Sequence, residues 1–238
     1  TNSPSDILYT MHGFVANLDL TRTGTWKSGH SLASLFGRLT YDYEGRYLLN
    51  ANFRRDGSSR FAKNNKWGNF PSVSVGWRFS DEKFMESTKY YLDDAKIRMS
   101  YGVTGNEQIG NYEYLMSYKT DIIYDGIGGV TPSRLSVDNL AWEQTSQINL
   151  GLDLTFFNSR LLFTADYYDK YTKDLLARYQ VPKEWGYDFT MKNIGEVRNR
   201  GVEFSVSGDI LKTKDFNWNM AFNISHNVTK IEKLAEGV

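Results

Sequence analysis

Residues 142–157 read Trp-Glu-Gln-Thr-Ser-Gln-Ile-Asn-Leu-Gly-Leu-Asp-Leu-Thr-Phe-Phe, and from Ile148 to Phe156 apolar and polar residues alternate without a break. Ile148, Leu150, Leu152, Leu154 and Phe156 share one face; Gln147, Asn149, Gly151, Asp153 and Thr155 share the other. Successive side chains of a strand point to opposite faces, so the spacing predicts a strand with one apolar and one wet side. The pattern recurs about eight times along the chain.

Working outward, Leu39, Tyr41 and Tyr43 oppose Arg38, Thr40 and Asp42, and Leu49, Ala51 and Phe53 oppose Asn50, Asn52 and Arg54. Val73, Val75 and Trp77 oppose Ser74, Gly76 and Arg78; Ile97, Met99 and Tyr101 oppose Arg98, Ser100 and Gly102. Phe163, Ala165 and Tyr167 face away from Thr164 and Asp166, Val202, Phe204 and Val206 from Glu203 and Ser205, and Trp218, Met220 and Phe222 from Asn217, Asn219 and Asn223. Leu48, Leu162 and Ala221 interrupt the polar set. The chain reads as all-β, with antiparallel strands each half wet.

Two environments produce that pattern. A soluble sandwich or small barrel turns its apolar faces inward. A membrane barrel inverts this, with lipid outside and a polar lumen within. Alternation alone does not choose, but three further features favour the membrane. The predicted strands run to about ten residues or more, against a usual five or six. Ten residues at roughly 3.3 Å, tilted about 40°, rise around 25 Å, near the height of a barrel's apolar band. The wet faces carry Arg38, Arg46, Arg54, Arg78, Arg98, Asp153, Asp166 and Glu203 in mid-strand, which suits a wide aqueous lumen. Connection lengths also alternate. Tight turns are expected at Glu44-Gly45, Asn158-Ser159 and Lys212–Asp215, with long stretches rich in Gly, Asn and charge at about 56–69, 104–142 and 172–198. Short turns on one side and long loops on the other mark outer-membrane barrels. Between Ser80 and Asp94, apolar residues at near-helical spacing predict a short helical turn over the rim on the short-turn side.

The chain of 238 residues is 15% aromatic and 24% charged, with a formal net charge of zero. Its mean hydropathy of -0.51 is compatible with a barrel, half of whose strand positions are polar. No apolar run approaches the roughly 18 residues of a spanning helix. Cysteine is absent, which removes disulfide and thiolate chemistry. Charge neutrality gives no reason to expect a nucleic-acid partner.

The wording of several segments is more specific. Tyr43–Phe61 reads Tyr-Glu-Gly-Arg-Tyr-Leu-Leu-Asn-Ala-Asn-Phe-Arg-Arg-Asp-Gly-Ser-Ser-Arg-Phe, and Asn65–Arg78 follows with Asn-Lys-Trp-Gly-Asn-Phe-Pro-Ser-Val-Ser-Val-Gly-Trp-Arg. Then come Arg98–Asn106, Ile109-Gly110-Asn111-Tyr112, Trp142-Glu143-Gln144-Thr145, Asp166-Tyr167-Tyr168, Thr172–Leu176, Asn193–Val197 and Asn199–Glu203. In this order they resemble the SusC/RagA-type TonB-linked outer-membrane transporters over nearly all of residues 31–227.

That resemblance implies a segment from the C-terminal part of a barrel of about 22 strands. It implies import of bulky nutrients, oligosaccharides or peptides, across the outer membrane of Bacteroidetes-type bacteria. A SusD-like surface lipoprotein and the TonB–ExbB–ExbD complex would be the partners, the latter engaged through an N-terminal region lacking here. The expected layout is an external loop at 1–30, strands over 31–227 and a truncated loop at 228–238, with the plug domain absent.

Candidate contacts with substrate or partner lie in three places. Arg54, Arg55, Asp56, Arg60 and Lys63 cluster where a strand meets an external loop, although a solvated loop or an internal ion-pair network explains them more simply. Tyr112 and Tyr114, with Tyr118 and Tyr124 behind them, could stack on a sugar ring, although loop self-packing accounts for them too. Asn217 and Asn219 would line a hydrated passage. Catalysis finds no support: His12, His30 and His226 are scattered, Gly126-Ile127-Gly128-Gly129 is no dinucleotide fingerprint, and no motif calls for a cofactor or metal. Two other readings stay open at this level, an independent eight-stranded barrel and a soluble all-β carbohydrate-binding module.

Overall fold

A computed structural model describes residues 28–124 and 127–234. Its strands, in chain order, are β1 (Leu32–Tyr43), β2 (Tyr47–Ser58), β3 (Trp67–Arg78), β4 (Leu92–Asn106), β5 (Ser117–Tyr124), β6 (Ile127–Arg134), β7 (Glu143–Phe156), β8 (Leu161–Lys173), β9 (Leu176–Gln180), β10 (Phe189–Asn193), β11 (Glu196–Lys212) and β12 (Asn217–Lys233). Eight of them form one antiparallel sheet in the order β1-β2-β3-β4-β7-β8-β11-β12. The other four make two separate hairpins, β5–β6 and β9–β10.

The register lines up the periodicity of each strand with that of its neighbours. One row across the ladder is Tyr43, Tyr47, Trp77, Ile97, Leu152, Ala165, Phe204 and Ile224. The next row is Tyr41, Leu49, Val75, Met99, Leu150, Tyr167, Val202 and His226. On the opposite face run Thr40, Asn50, Ser74, Ser100, Asn149, Tyr168, Gly201 and Asn227. A slip of one residue in any strand would break all three rows, which is why the pattern fixes the register.

The apolar rows do not meet one another in a dry interior. Leu39 is 62% exposed, Leu150 43% and Phe222 62%. The buried cluster lies elsewhere, where the long connections pack on the end of β3: Phe61, Phe70, Ile109, Leu140, Trp142 and Met191. A continuous apolar face of this extent needs an apolar cover, and hydrocarbon supplies it. The soluble binding module, whose apolar faces would have to close on each other, does not fit. Nor does the small closed barrel: among the described residues β1 and β12 each pair on one side only. Unpaired backbone cannot face lipid, so in a bilayer both edges must pair with other strands.

Turn chemistry follows the sequence. At Glu44 and Gly45 the backbone enters the left-handed region with φ of 53° and 66°, and the Gly45 N–H donates to Asp42 Oδ1 at 2.8 Å. The β7–β8 turn falls where expected, with Phe157, Asn158 and Ser159 all at positive φ. Its amides are held by the carbonyl of Tyr91, 3.0 Å from Phe157 N, and by Asp93 Oδ2, 2.9 Å from Ser159 N. The connection after β3 forms two short 3-10 helices, Phe79–Asp81 and Lys83–Thr88.

The structure departs from the sequence reading in two respects. The last strand continues to Lys233, beyond the boundary expected at 227. The long connections at 104–142 and 172–198 are not irregular throughout, since each carries a hairpin. Most of the loop expected at 1–30 lies outside the described residues.

Candidate functional site

The wet face carries its charges as a ladder. Arg98 on β4 donates through Nε to Asp153 Oδ2 at 2.6 Å and through Nη2 to Asp153 Oδ1 at 2.9 Å, both on β7. The same Nη2 reaches Asp166 Oδ1 on β8 at 3.0 Å. Gly151 stands in the row between Arg98 and Asp166. A Cβ there would lie 2.6 Å from Arg98 Cζ and 2.7 Å from Asp166 Oδ1, so only glycine lets the guanidinium cross. Arg98 thus ties three strands together, its single positive charge shared between two carboxylates. Beside it runs an open groove of about 590 Å³ bordered by Gln147, Asn149, Lys170, Asn199, Glu203 and Asn227. Such a wall offers many donors and acceptors and no deep trap, which favours hydrated passage over capture.

At the long-loop end, a single tryptophan organises the connections. Trp142 packs its ring 5.3 Å from those of both Phe61 and Phe70, and its Nε1 donates to the Lys66 carbonyl at 3.1 Å. Asn193 closes the β9–β10 hairpin onto this core. Its Oδ1 accepts from Ala141 N at 2.8 Å, and its Nδ2 donates to the carbonyls of Ala141 and Asp174 at 2.8 and 2.9 Å. Glu143 adds a carboxylate that accepts from Leu176 N at 3.1 Å and Asn106 Nδ2 at 3.2 Å. Cation–π pairs brace the hairpin across its strands, Arg178 over Phe189 and Lys192 over Tyr179. The loops therefore form a packed platform.

The residues read from the sequence as contacts do not gather at one site. Arg54 and Asp56 face the lumen as an ion pair at 2.8 Å, with Arg54 Nη2 also 3.2 Å from Ser34 Oγ. Arg55 points to the opposite face and stacks over Trp67, its guanidinium 5.3 Å from the ring. Arg60 turns into the loops, donating to Asn111 Oδ1 at 3.1 Å and the Glu107 carbonyl at 3.3 Å. Tyr112 is exposed with φ of 63°, and its carbonyl accepts from Arg134 Nη2 at 2.9 Å. Tyr114 is half-buried, its carbonyl held by Val137 N at 3.0 Å and Ser136 Oγ at 3.2 Å. Asn217 and Asn219 stand next to the short turn after β11, at the other end of the strands, with Asn219 Nδ2 donating to Asp209 Oδ1 at 3.1 Å. Asn193 and Gly151, quoted in the sequence only as parts of motifs, prove to hold the architecture. The side chains that cross Gly151 lie on neighbouring strands, and the backbone groups Asn193 holds, those of Ala141 and Asp174, lie in connections distant in the chain.

The outward face is apolar in its middle and polar at both rims. Toward the long loops, Asp169 accepts from Arg198 at 2.8 and 2.7 Å and from Arg200 at 3.0 Å. At the short-turn rim, Glu82 accepts from Tyr47 Oη at 2.5 Å and Trp77 Nε1 at 3.2 Å, with Arg46 Nη1 3.5 Å away. The Tyr47 hydroxyl, then the Trp77 indole, holds the Glu82 carboxyl below its ordinary pKa by bonding to its charged form. Aromatic anchors at the rim of an apolar band are the signature of a membrane barrel. Among the described residues no helix is long and apolar enough to cross a membrane, and no cluster of His, Asp or Glu is arranged to hold a metal ion.

Comparison with known proteins agrees with this geometry. Residues 3–234 match the family model described as TonB dependent receptor-like, beta-barrel. The TonB-dependent receptor P39 of Formosa agariphila is 40% identical over 232 residues, which is 98% of this chain and 22% of that protein. The TonB-dependent receptor SusC of Bacteroides thetaiotaomicron is 38% identical over 216 residues, 87% of this chain and 21% of that protein. Among solved structures, the RagAB peptide transporter superposes with a TM-score of 0.80 at 32% identity, covering 88% of this chain and 23% of that one. The closed-closed state of the RagAB peptide importer gives 0.79 at 33% identity. The chain spans about a fifth of the length of the curated relatives it matches. Eight rows of strands with an outward apolar face, a polar lumen wall and this match along almost the whole chain lead to one conclusion: the chain is an outer-membrane β-barrel segment of the TonB-dependent receptor family.

Proposed function

We propose that the chain is part of the wall of a TonB-dependent importer that carries bulky nutrients, oligosaccharides or peptides, across the outer membrane. The observation that carries this is the polar ladder on the lumen face, Arg98 with Asp153 and Asp166, backed by a predominantly apolar face on the other side. A wall of that kind suits a wide, water-filled passage with a plug inside it. The short turns lie on the periplasmic side and the packed loops outside, as in barrels of this type. A SusD-like surface lipoprotein would cap the loop platform, and TonB–ExbB–ExbD would supply energy from the inner-membrane proton gradient. Support for import comes from the structural similarity to the RagAB peptide importer. The role is transport and not catalysis.

In this reading Arg54 on the lumen face and Tyr112 on an external loop are accessible members of the contact set at the long-loop end, and Asn217 and Asn219 are exposed at the short-turn end. Arg55, Arg60 and Tyr114 hold structure instead. Uptake of labelled oligosaccharides and oligopeptides by cells with and without the full-length gene, each with and without a protonophore, tests the proposal. We expect uptake of one class to disappear with the gene and with the proton gradient. Uptake of both classes unchanged by the deletion would refute it.

A further inference from the structure

The connection between β3 and β4 folds back over the outside of the sheet. Glu82 reaches Tyr47 and Trp77, both members of the outward apolar row. The rings of Phe79 and Phe84 lie 5.8 and 6.5 Å from that of Trp77. Burial says the same: the outward positions of β4 at this end, Leu92 and Ala95, are 7% and 0% exposed, whereas Ile97, Met99 and Tyr101 beyond them are 44%, 47% and 41% exposed. The first 3-10 turn also packs against β4. A segment that merely closed the rim would leave Leu92 and Ala95 open.

What this segment presents outward is the mixture that membrane interfaces select. Phe84 is 65% exposed and Tyr90 is 95% exposed, with Lys83 and Lys89 exposed beside them. Aromatic rings seat at the boundary between headgroups and acyl chains, and lysines extend from there to phosphate. The surface is continuous with the lipid-facing row through Trp77, so its occupant is the same bilayer.

We infer that residues 79–91 form an in-plane membrane anchor, with Phe84 and Tyr90 seated in the phospholipid headgroup layer on the short-turn side and Lys83 and Lys89 against lipid phosphates. The inference rests on the outward face being the lipid face. It fixes the depth of the barrel at one rim, because the anchor is tied to Tyr47 and Trp77 through the Glu82 carboxylate and to Trp77 through the rings of Phe79 and Phe84.

Site-directed spin labelling tests it in the full-length protein, in a background free of other cysteines, reconstituted into phosphatidylethanolamine–phosphatidylglycerol vesicles. Labels are placed by Phe84→Cys and Tyr90→Cys, with Ile97→Cys as the lipid reference and Lys214→Cys, in the β11–β12 turn, as the aqueous one. Heat-modifiable gel migration verifies that each variant is a folded barrel. We expect the ratio of collisions with oxygen to collisions with a water-soluble nickel complex to be several-fold higher at both anchor sites than at Lys214→Cys. Adding Lys83→Gln with Lys89→Gln should shift both labels toward the aqueous reference. Anchor labels that match Lys214→Cys while Ile97→Cys stays lipid-like would overturn the anchor alone. An aqueous ratio at Ile97→Cys itself would overturn the lipid-face reading beneath it.

Discussion

Arg98 Nη2 lies 3.0 Å from Asp166 Oδ1, two strands away, and the line between them passes over Gly151. Cross-strand charge pairs are common in sheets, but this one spans an intervening strand because that strand has no side chain at the crossing. A methyl group there must push the guanidinium aside. We expect Gly151→Ala to destabilise the folded barrel by about 1–3 kcal/mol, as steric and polar losses of this kind do. The bridge itself is worth less, because the side chains of Arg98 and Asp166 are 39% and 32% exposed and water screens them. A double-mutant cycle with Arg98→Met and Asp166→Asn should therefore give a coupling of roughly 0.5–1 kcal/mol in urea-driven unfolding from bilayers. A coupling of zero would mean that the bridge is absent in the membrane.

Asn193 makes three hydrogen bonds to the backbone, two to Ala141 in the connection before β7 and one to Asp174 in its own. Removing its amide leaves those groups part-buried with nothing to replace it, at a cost of about 1–3 kcal/mol. We predict that Asn193→Ala speeds amide hydrogen exchange in β9, β10 and residues 139–142 while β7 and β8 keep their protection. Equal exchange in the two proteins would show that the hairpin is held by something else.

Trp142 is 5% exposed and touches both Phe61 and Phe70. Truncating a buried aromatic costs about 3–5 kcal/mol. Because the cluster touches the main sheet only at the long-loop ends of β3 and β4, through Phe70 and Val103, Trp142→Ala should expose the loops to limited proteolysis and leave the barrel heat-modifiable. Loss of the barrel along with the loops would mean that the loop core supports the sheet.

Glu82 supplies the pH dependence at the short-turn rim. Its carboxyl is held below its ordinary value, first by the Tyr47 hydroxyl and then by the Trp77 indole, with Arg46 as the nearby charge. A depressed folded-state pKa contributes stability that is fully present above the unfolded value, about 4.3, and is lost as pH falls through the folded one. Hydrogen exchange in residues 79–91 should therefore rise on acidification below about pH 4. The effect should vanish in Glu82→Gln, and a variant that kept the full acid response would assign it to another group.

The strands were legible because each is long enough for its alternation to stand out: Ile148–Phe156 needs no partner to be read. The hairpins were not, since β9 and β10 are five residues each and their stabilising pairs, Arg178 with Phe189 and Lys192 with Tyr179, couple residues far apart in the chain. The candidate site was legible only as residue types. Arg54 and Arg55 are adjacent in sequence, so a cluster was the natural reading, yet neighbours on a strand face opposite ways. That fact places Arg54 in the lumen and Arg55 on Trp67. Arg98, Asp153 and Asp166 were visible as mid-strand charges, but their pairing depends on a register that sequence spacing does not contain.

Two neighbouring positions on β7 probe the orientation of the whole sheet. Leu152 belongs to the outward row with Ile97 and Ala165, and Asn149 to the wet row with Ser100 and Tyr168. Folding free energies of Leu152→Arg and Asn149→Arg in the full-length protein, measured by reversible unfolding from a phospholipid bilayer, decide between the faces. Burying arginine mid-band at Leu152 should cost about 2–4 kcal/mol, while the water-lined position should tolerate it with little change. Equal costs at the two sites, or the larger cost at Asn149, would contradict the assignment of lipid and lumen.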